Sequence, residues 1–189
     1  VDLPWPPAGK ELIFSYQLPD ETIAEIAEMA VSDAGRPVTF YDNFDKMDNT
    51  WKRFESDADT RNSFVNEGKP GEIMALANTA VYAEREISEG TTSFIAQINP
   101  GTDKSSSWGP GIGLVFGNRV VKLNLRPGKN EFGFYNEDGE NVLQGMQPGN
   151  SVWLRLDLNR NKVTGSYSYN KQNWVPVGEA AVDGKPERF

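Results

Sequence analysis

Gly111–Tyr135 reads GIGLVFGNRVVKLNLRPGKNEFGFY, three apolar-polar alternating runs separated by Gly117-Asn118 and Pro127-Gly128-Lys129-Asn130. Alternation with a period of two places successive side chains on opposite faces of an extended strand. Ile112, Leu114 and Phe116 form one inward set, and Val121, Leu123 and Leu125 another. The complementary set is Gly111, Gly113, Val120, Lys122, Asn124 and Arg126. Gly, Pro and Asn at the breaks supply the backbone conformations that reverse a chain, so the three runs read as an antiparallel meander with one buried and one polar face.

The same metre extends in both directions. Turn signals recur at Gly68-Lys69-Pro70-Gly71, Glu89-Gly90, Asn99-Pro100-Gly101, Asp138-Gly139, Pro148-Gly149-Asn150, Asn159-Arg160-Asn161 and Asn170-Lys171-Gln172-Asn173. Strands are expected at 38–41, 51–54, 63–65, 72–77, 80–87, 92–98, 112–116, 120–126, 131–135, 152–158, 163–169 and 174–177, with 72–77 and 80–87 paired around Asn78-Thr79. In Val152–Leu158 the four aliphatics point one way and Trp153, Arg155 and Asp157 the other. Many short strands at such spacing predict an all-β antiparallel sandwich. No repeat of fixed sequence recurs, which disfavours a solenoid or propeller.

Residues 1–37 differ. Val1-Asp2-Leu3-Pro4-Trp5-Pro6-Pro7 reads as the tail of a Pro-rich linker rather than a signal peptide, which fits a module tethered to other domains of a larger protein. Asp20 stands at an N-cap position; Ile23, Ile26, Ala27 and Ala30 share a helical face, and Gly35 and Pro37 close it. The expected division is a linker and short N-terminal α-helix over 1–37, then a β-sandwich domain over 38–189.

Composition narrows the chemistry. The 189 residues carry 19 Lys and Arg against 27 Asp and Glu, a net charge of −8 that repels nucleic acid and anionic membrane surfaces. No apolar run approaches the ~20 residues of a bilayer span. Neither His nor Cys occurs. Ser-His-Asp and Cys-His catalysis, disulfides and imidazole- or thiolate-bound metals are therefore excluded, and any metal must sit on oxygen ligands such as calcium takes.

The polar face of the meander is the first candidate site. If Trp153 shares its sheet with Lys122 and the two glycines, the glycines leave a floor and the indole a wall on which a sugar ring stacks. Lys122, Asn124, Arg126 and Arg155 would bond hydroxyls or carboxylates, with Tyr135 at the margin. The competing reading is an ordinary solvated face. Ser105-Ser106-Ser107-Trp108-Gly109-Pro110-Gly111 is the second candidate: Trp108 either faces a ligand or caps the core. Glu84 and Glu86 lie on one strand face at a separation that admits a glycosidase pair, and equally on any charged exposed strand. Asp42, Asn43, Asp45 and Asp48, and Asp57 with Asp59, offer oxygens but lack the spacing of a calcium loop.

Trp108–Leu114, Val121–Arg126, Trp153–Leu156, Tyr167–Asn170 and Trp174–Gly178, in that order, resemble concanavalin A-like lectin/glucanase sandwiches, above all the laminin-G-like accessory modules of bacterial polysaccharide-processing proteins. The resemblance covers about 38–180; Asn170-Lys171-Gln172-Asn173 stands where an Asp-Gly pair is commoner. It implies a jelly roll of curved sheets, ligands on the concave face or loop rim, and often a structural calcium. The glucanase branch carries three alternating Glu and Asp on one strand. Glu84, Glu86 and Glu89 do not match that order, so no catalytic residue is carried over. The expectation is a non-catalytic module binding a polysaccharide or oligosaccharide in an extracellular, periplasmic or cell-surface protein. The alternatives are a glycoside hydrolase of the same fold and a structural or protein-binding sandwich.

Overall fold

The structure, a computed structural model, describes residues 81–189 and, before them, 15–17, 23–25, 40–45, 49–55, 63–65, 71 and 74–76. The chain divides into two compact units, Val1–Asp42 and Asn43–Phe189. In the first, β1 (Ser15–Gln17) pairs antiparallel with β2 (Ile23–Glu25). These last three residues belong to the stretch expected to be helical, so no helix runs through them; the rest of that stretch lies outside the described residues. Asp is as common in turns as at a helix N-cap, so the Asp20 signal does not separate the two, which is why the sequence misled there. Phe40 and Tyr41, expected in a strand, are not part of one.

The second unit opens with β3 (Lys52–Glu55), β4 (Ser63–Val65), β5 (Met74–Leu76) and β6 (Val81–Glu84). Among the described residues the expected pairing of 72–77 with 80–87 does not form. Instead β6 pairs with β3 and β5 with β4, both antiparallel.

Eight longer strands follow: β7 (Ser93–Ile98), β8 (Gly111–Phe116), β9 (Arg119–Arg126), β10 (Glu131–Asn136), β11 (Gly139–Gln144), β12 (Val152–Asn159), β13 (Lys162–Ser168) and β14 (Val175–Ala181). They make two antiparallel four-stranded sheets, ordered β11-β10-β9-β8 and β14-β13-β12-β7. The β8–β9–β10 meander stands where its alternation put it. Strand β11 was not expected, because it offers only Val142 and Leu143 as apolar residues. Asp138-Gly139, a hairpin pair right after β10, was the signal for it.

The core lies between the sheets. Leu114, Leu123, Leu125, Phe132 and Phe134 from one and Val152, Leu154, Leu156 and Val163 from the other are wholly buried. Tyr167 stacks on Phe132 with ring centroids 3.9 Å apart. Phe134 occupies the space left by two glycines of the facing sheet: a Cβ at Gly165 would stand 2.4 Å from its Cδ2, and one at Gly178 2.7 Å from its Cδ1. The architecture is therefore all-β and sandwich-like; among the described residues the one helical turn is the 3-10 turn Pro127–Lys129, and no helix is long and apolar enough to cross a membrane.

Glu187–Phe189 extends the first sheet. The Val115 N–H donates to the Arg188 carbonyl (2.9 Å) and the Glu187 N–H to the Val115 carbonyl (2.8 Å), while Arg85 and Phe189 exchange two backbone hydrogen bonds of 3.0 Å. Arg188 Nη1 also donates to both carboxylate oxygens of Glu84, at 2.8 and 2.9 Å.

Candidate functional site

The outer face of β8–β11 gathers five of the seven residues singled out in the sequence. Antiparallel register sets Lys122 of β9 directly opposite Tyr135 of β10, and Tyr135 opposite Glu140 of β11. Asn124 faces Gly133, and Arg126 faces Glu131. On the other side of β9, Gly113 and Gly111 stand beside Lys122 and Asn124 and present no side chain.

Trp108 is brought to this face by its loop. Backbone N–H groups of Leu125 and Gly128 donate to the carbonyls of Pro110 (2.8 Å) and Ser105 (2.9 Å). Asn124 Nδ2 donates to the Ser107 carbonyl at 3.0 Å. Gly109 is required at the closest approach, where a Cβ would fall 2.2 Å from the Leu125 carbonyl oxygen. The indole so positioned is 63% exposed. Its ring centroid is 3.2 Å from Lys122 Nζ and 5.3 Å from the Tyr135 ring. Trp108 thus does not cap the core; it is a plate on the surface, resting on a cation and flanked by a phenol.

Two residues expected to face solvent do not. Asn124 is fully buried and Arg126 is 5% exposed. Alternation gave them the correct side of the strand, but the loop backbone lies over Asn124, and Gly133 lets Arg126 fold flat. The Arg126 guanidinium crosses Gly133, where a Cβ would meet Nε at 2.8 Å, and ends in ion pairs with Glu131 and Glu140. Gln144 in turn donates to Glu131. Arg126 and Asn124 therefore hold the platform, while Lys122, Tyr135 and Trp108 present it. Glu131, Glu140 and Gly133 are not among the sequence candidates; Glu131 lies directly opposite Arg126, Gly133 opposite Asn124, and Glu140 one strand further on, opposite Tyr135.

Burial and the like charge of Arg126 lower the Lys122 pKa to about 8. Among the described residues no carboxylate pairs with this ammonium, which has the Trp108 ring as its partner.

Trp153 and Arg155 stand elsewhere. They lie on β12, in the other sheet, between inward Val152, Leu154 and Leu156. The single surface combining Trp153 and Arg155 with Lys122, Asn124 and Arg126 does not exist: these are outward faces of two different sheets. On theirs, Lys171 Nζ lies 4.5 Å from the Trp153 ring and the Arg155 guanidinium 4.1 Å from the Trp174 ring. Arg155 also pairs with Asp157 at 2.7 Å, and Asp157 accepts a bond from Ser93 Oγ at 2.7 Å.

No protein-family model, curated protein or solved structure matches the chain.

Glu84, half of the candidate carboxylate pair, is 7% exposed and engaged on both oxygens by Arg188, whereas Glu86 faces solvent. Among the described residues no three acidic side chains converge as a cation site. Asn43 and Asp45 satisfy each other, Asn43 Nδ2 donating to Asp45 at 2.7 Å. Asp48, Asp57 and Asp59 lie outside the described residues.

Proposed function

We propose that the Asn43–Phe189 unit is a non-catalytic carbohydrate-binding module with a concanavalin A-like jelly roll, carried by a larger exported protein and using the outer face of β8–β11. The observation that carries this reading is the open indole of Trp108, set on Lys122 and beside Tyr135. A sugar offers a C–H face to such a plate and hydroxyls to its rim, so an exposed aromatic ringed by hydrogen-bonding side chains suits it. Tyr135 Oη and Lys122 Nζ supply that rim; Asn124 and Arg126 fix the geometry from below. One stacked ring and a few hydrogen bonds correspond to about 4–6 kcal/mol, roughly millimolar to tens of micromolar affinity.

The hydrolase alternative has little to support it. A carboxylate held on both oxygens by a guanidinium is poorly placed to give or take a proton, and that is the condition of Glu84. Trp153 with Lys171 and Trp174 with Arg155 make the outer face of β12–β14 a second aromatic surface, but there the Arg155 guanidinium is already paired with Asp157.

Retention on gels carrying immobilised polysaccharides tests the proposal. The wild-type chain is expected to be retarded, Trp108→Ala to migrate freely, and Trp153→Ala to behave as wild type. Retardation that survives Trp108→Ala would remove the site.

A further inference from the structure

The geometry points to an acidic sugar as the ligand, its carboxylate held by Lys122 while its ring lies on Trp108. This rests on the binding site just proposed and names its substrate class.

Lys122, Arg126, Glu131 and Glu140 lie on this face, and Arg188 with Glu84 and Glu86 borders it beyond Val115 of β8. Arg126 is taken by Glu131 and Glu140, a trio with one surplus negative charge. Lys122 stands apart from it: Tyr135 separates Lys122 from Glu140 in the cross-strand row, and β8 contributes only the uncharged Gly111, Gly113 and Val115 on the near side. Its neighbours on the same side of β9 are Val120 and Asn124, both uncharged. The loop above brings the Trp108 ring; the one acid in residues 99–110, Asp103, already accepts the Ser105 N–H at 2.6 Å.

A largely desolvated ammonium is costly without an anion, and a π face offsets only part of that cost. The site is thus a cation with its counter-charge missing, next to an open aromatic plate. A carboxylate on the ring stacked over Trp108 supplies that charge. A monoanion fits better than a dianionic phosphate, because Glu131 and Glu140 repel additional negative charge from the far side of the platform. The direction of the Lys122 shift agrees: burial and Arg126 push it down, and an incoming anion would push it back up.

The test titrates the 189-residue chain with polygalacturonate, polyglucuronate and alginate, each beside its carboxyl-reduced form, by affinity electrophoresis at pH 7. At least one polyuronate should bind roughly tenfold or more tightly than its reduced form, the worth of one charge-assisted hydrogen bond. Lys122→Met should abolish that preference, so that acid and reduced forms are retarded equally. Lys122→Arg, whose charge persists at high pH, should keep the preference and guard against a folding defect in the Met variant. In wild type the preference should decline above about pH 8, where the free ammonium loses its proton, and in Lys122→Arg it should not. Equal binding of acid and reduced forms, or a preference untouched by Lys122→Met, overturns the acidic-sugar inference and leaves the carbohydrate site standing. No retention of any member overturns both.

Discussion

Lys122 Nζ lies 3.2 Å from the centre of the Trp108 ring, and the two come from separate elements, β9 and the loop entering β8. Neither side chain defines a site by itself. Together they make an exposed aromatic plate whose underside is cationic, held there by buried Asn124 and the close approach at Gly109.

The anchor can be released without touching the plate. Asn124→Ala removes donors to the Ser107 and Leu125 carbonyls and should cost about 1–2 kcal/mol. It should also free the Trp108 loop. In 5-fluorotryptophan-labelled protein, the 19F resonance of Trp108, assigned through Trp108→Phe, should sharpen and move toward the free-indole position while those of Trp153 and Trp174 hold still. An unmoved Trp108 line would mean that the loop is held by its backbone bonds alone.

The same resonance should titrate. With Lys122 at about 8, the ammonium under the ring disappears between pH 7 and 9, and the Trp108 line should shift with that midpoint; in Lys122→Met it should stay flat. Stability follows the opposite sense from a salt-bridged lysine. The folded-state pKa lies below the ordinary lysine value of 10.5, so between about pH 8 and 10.5 the unfolded chain binds more protons than the folded one. Wild type should therefore gain stability relative to Lys122→Met as pH rises through that window. Denaturant midpoints of the two proteins at pH 7, 9 and 10.5 measure it.

Packing at the centre of the sandwich is similarly open to test. Gly165→Ala drives a methyl to within 2.4 Å of the Phe134 ring and should destabilise by about 1–3 kcal/mol through overpacking. Phe134→Leu should also destabilise, by opening a cavity. Because the two share one contact, Gly165→Ala in the Phe134→Leu background should cost less than in wild type, giving a coupling of about 0.5 kcal/mol or more in urea melts. Additive effects would place the ring elsewhere.

Arg188 and Glu84 join the last residues of the chain to the end of β6. Arg188→Met strands a carboxylate that is 7% exposed, whereas Glu84→Gln keeps an acceptor for the guanidinium. The first should lower the urea midpoint more than the second. A chromogenic glycoside panel should show no turnover lost in Glu84→Gln, as befits a structural ion pair.

Much of the fold was legible because the signals are local. Val152, Leu154 and Leu156 alternate with Trp153 and Arg155, and the structure buries the first set and turns out the second. Turn pairs marked where strands end. Where local signals are shared between structures they misled: Ile23–Glu25 sits in a helix-like pattern and forms a strand, and Gly139–Gln144 looks too polar for the edge strand that it is. Burial of outward residues was equally out of reach. Nothing in a period of two says that a loop will lie over Asn124, or that the missing side chain of Gly133, on the next strand, will let Arg126 fold down.

By itself the sequence determined an all-β chain, which residues of the long strands point inward, and a chemistry without imidazole or thiol. Only the tertiary structure decided that Lys122, Tyr135 and Trp108 share a face while Trp153 and Arg155 stand on the other sheet. The reason is physical: facing is set by alternation within a strand, but sheet membership is set by hydrogen bonding between strands distant in sequence. The outer faces of two sheets around one core carry the same local pattern.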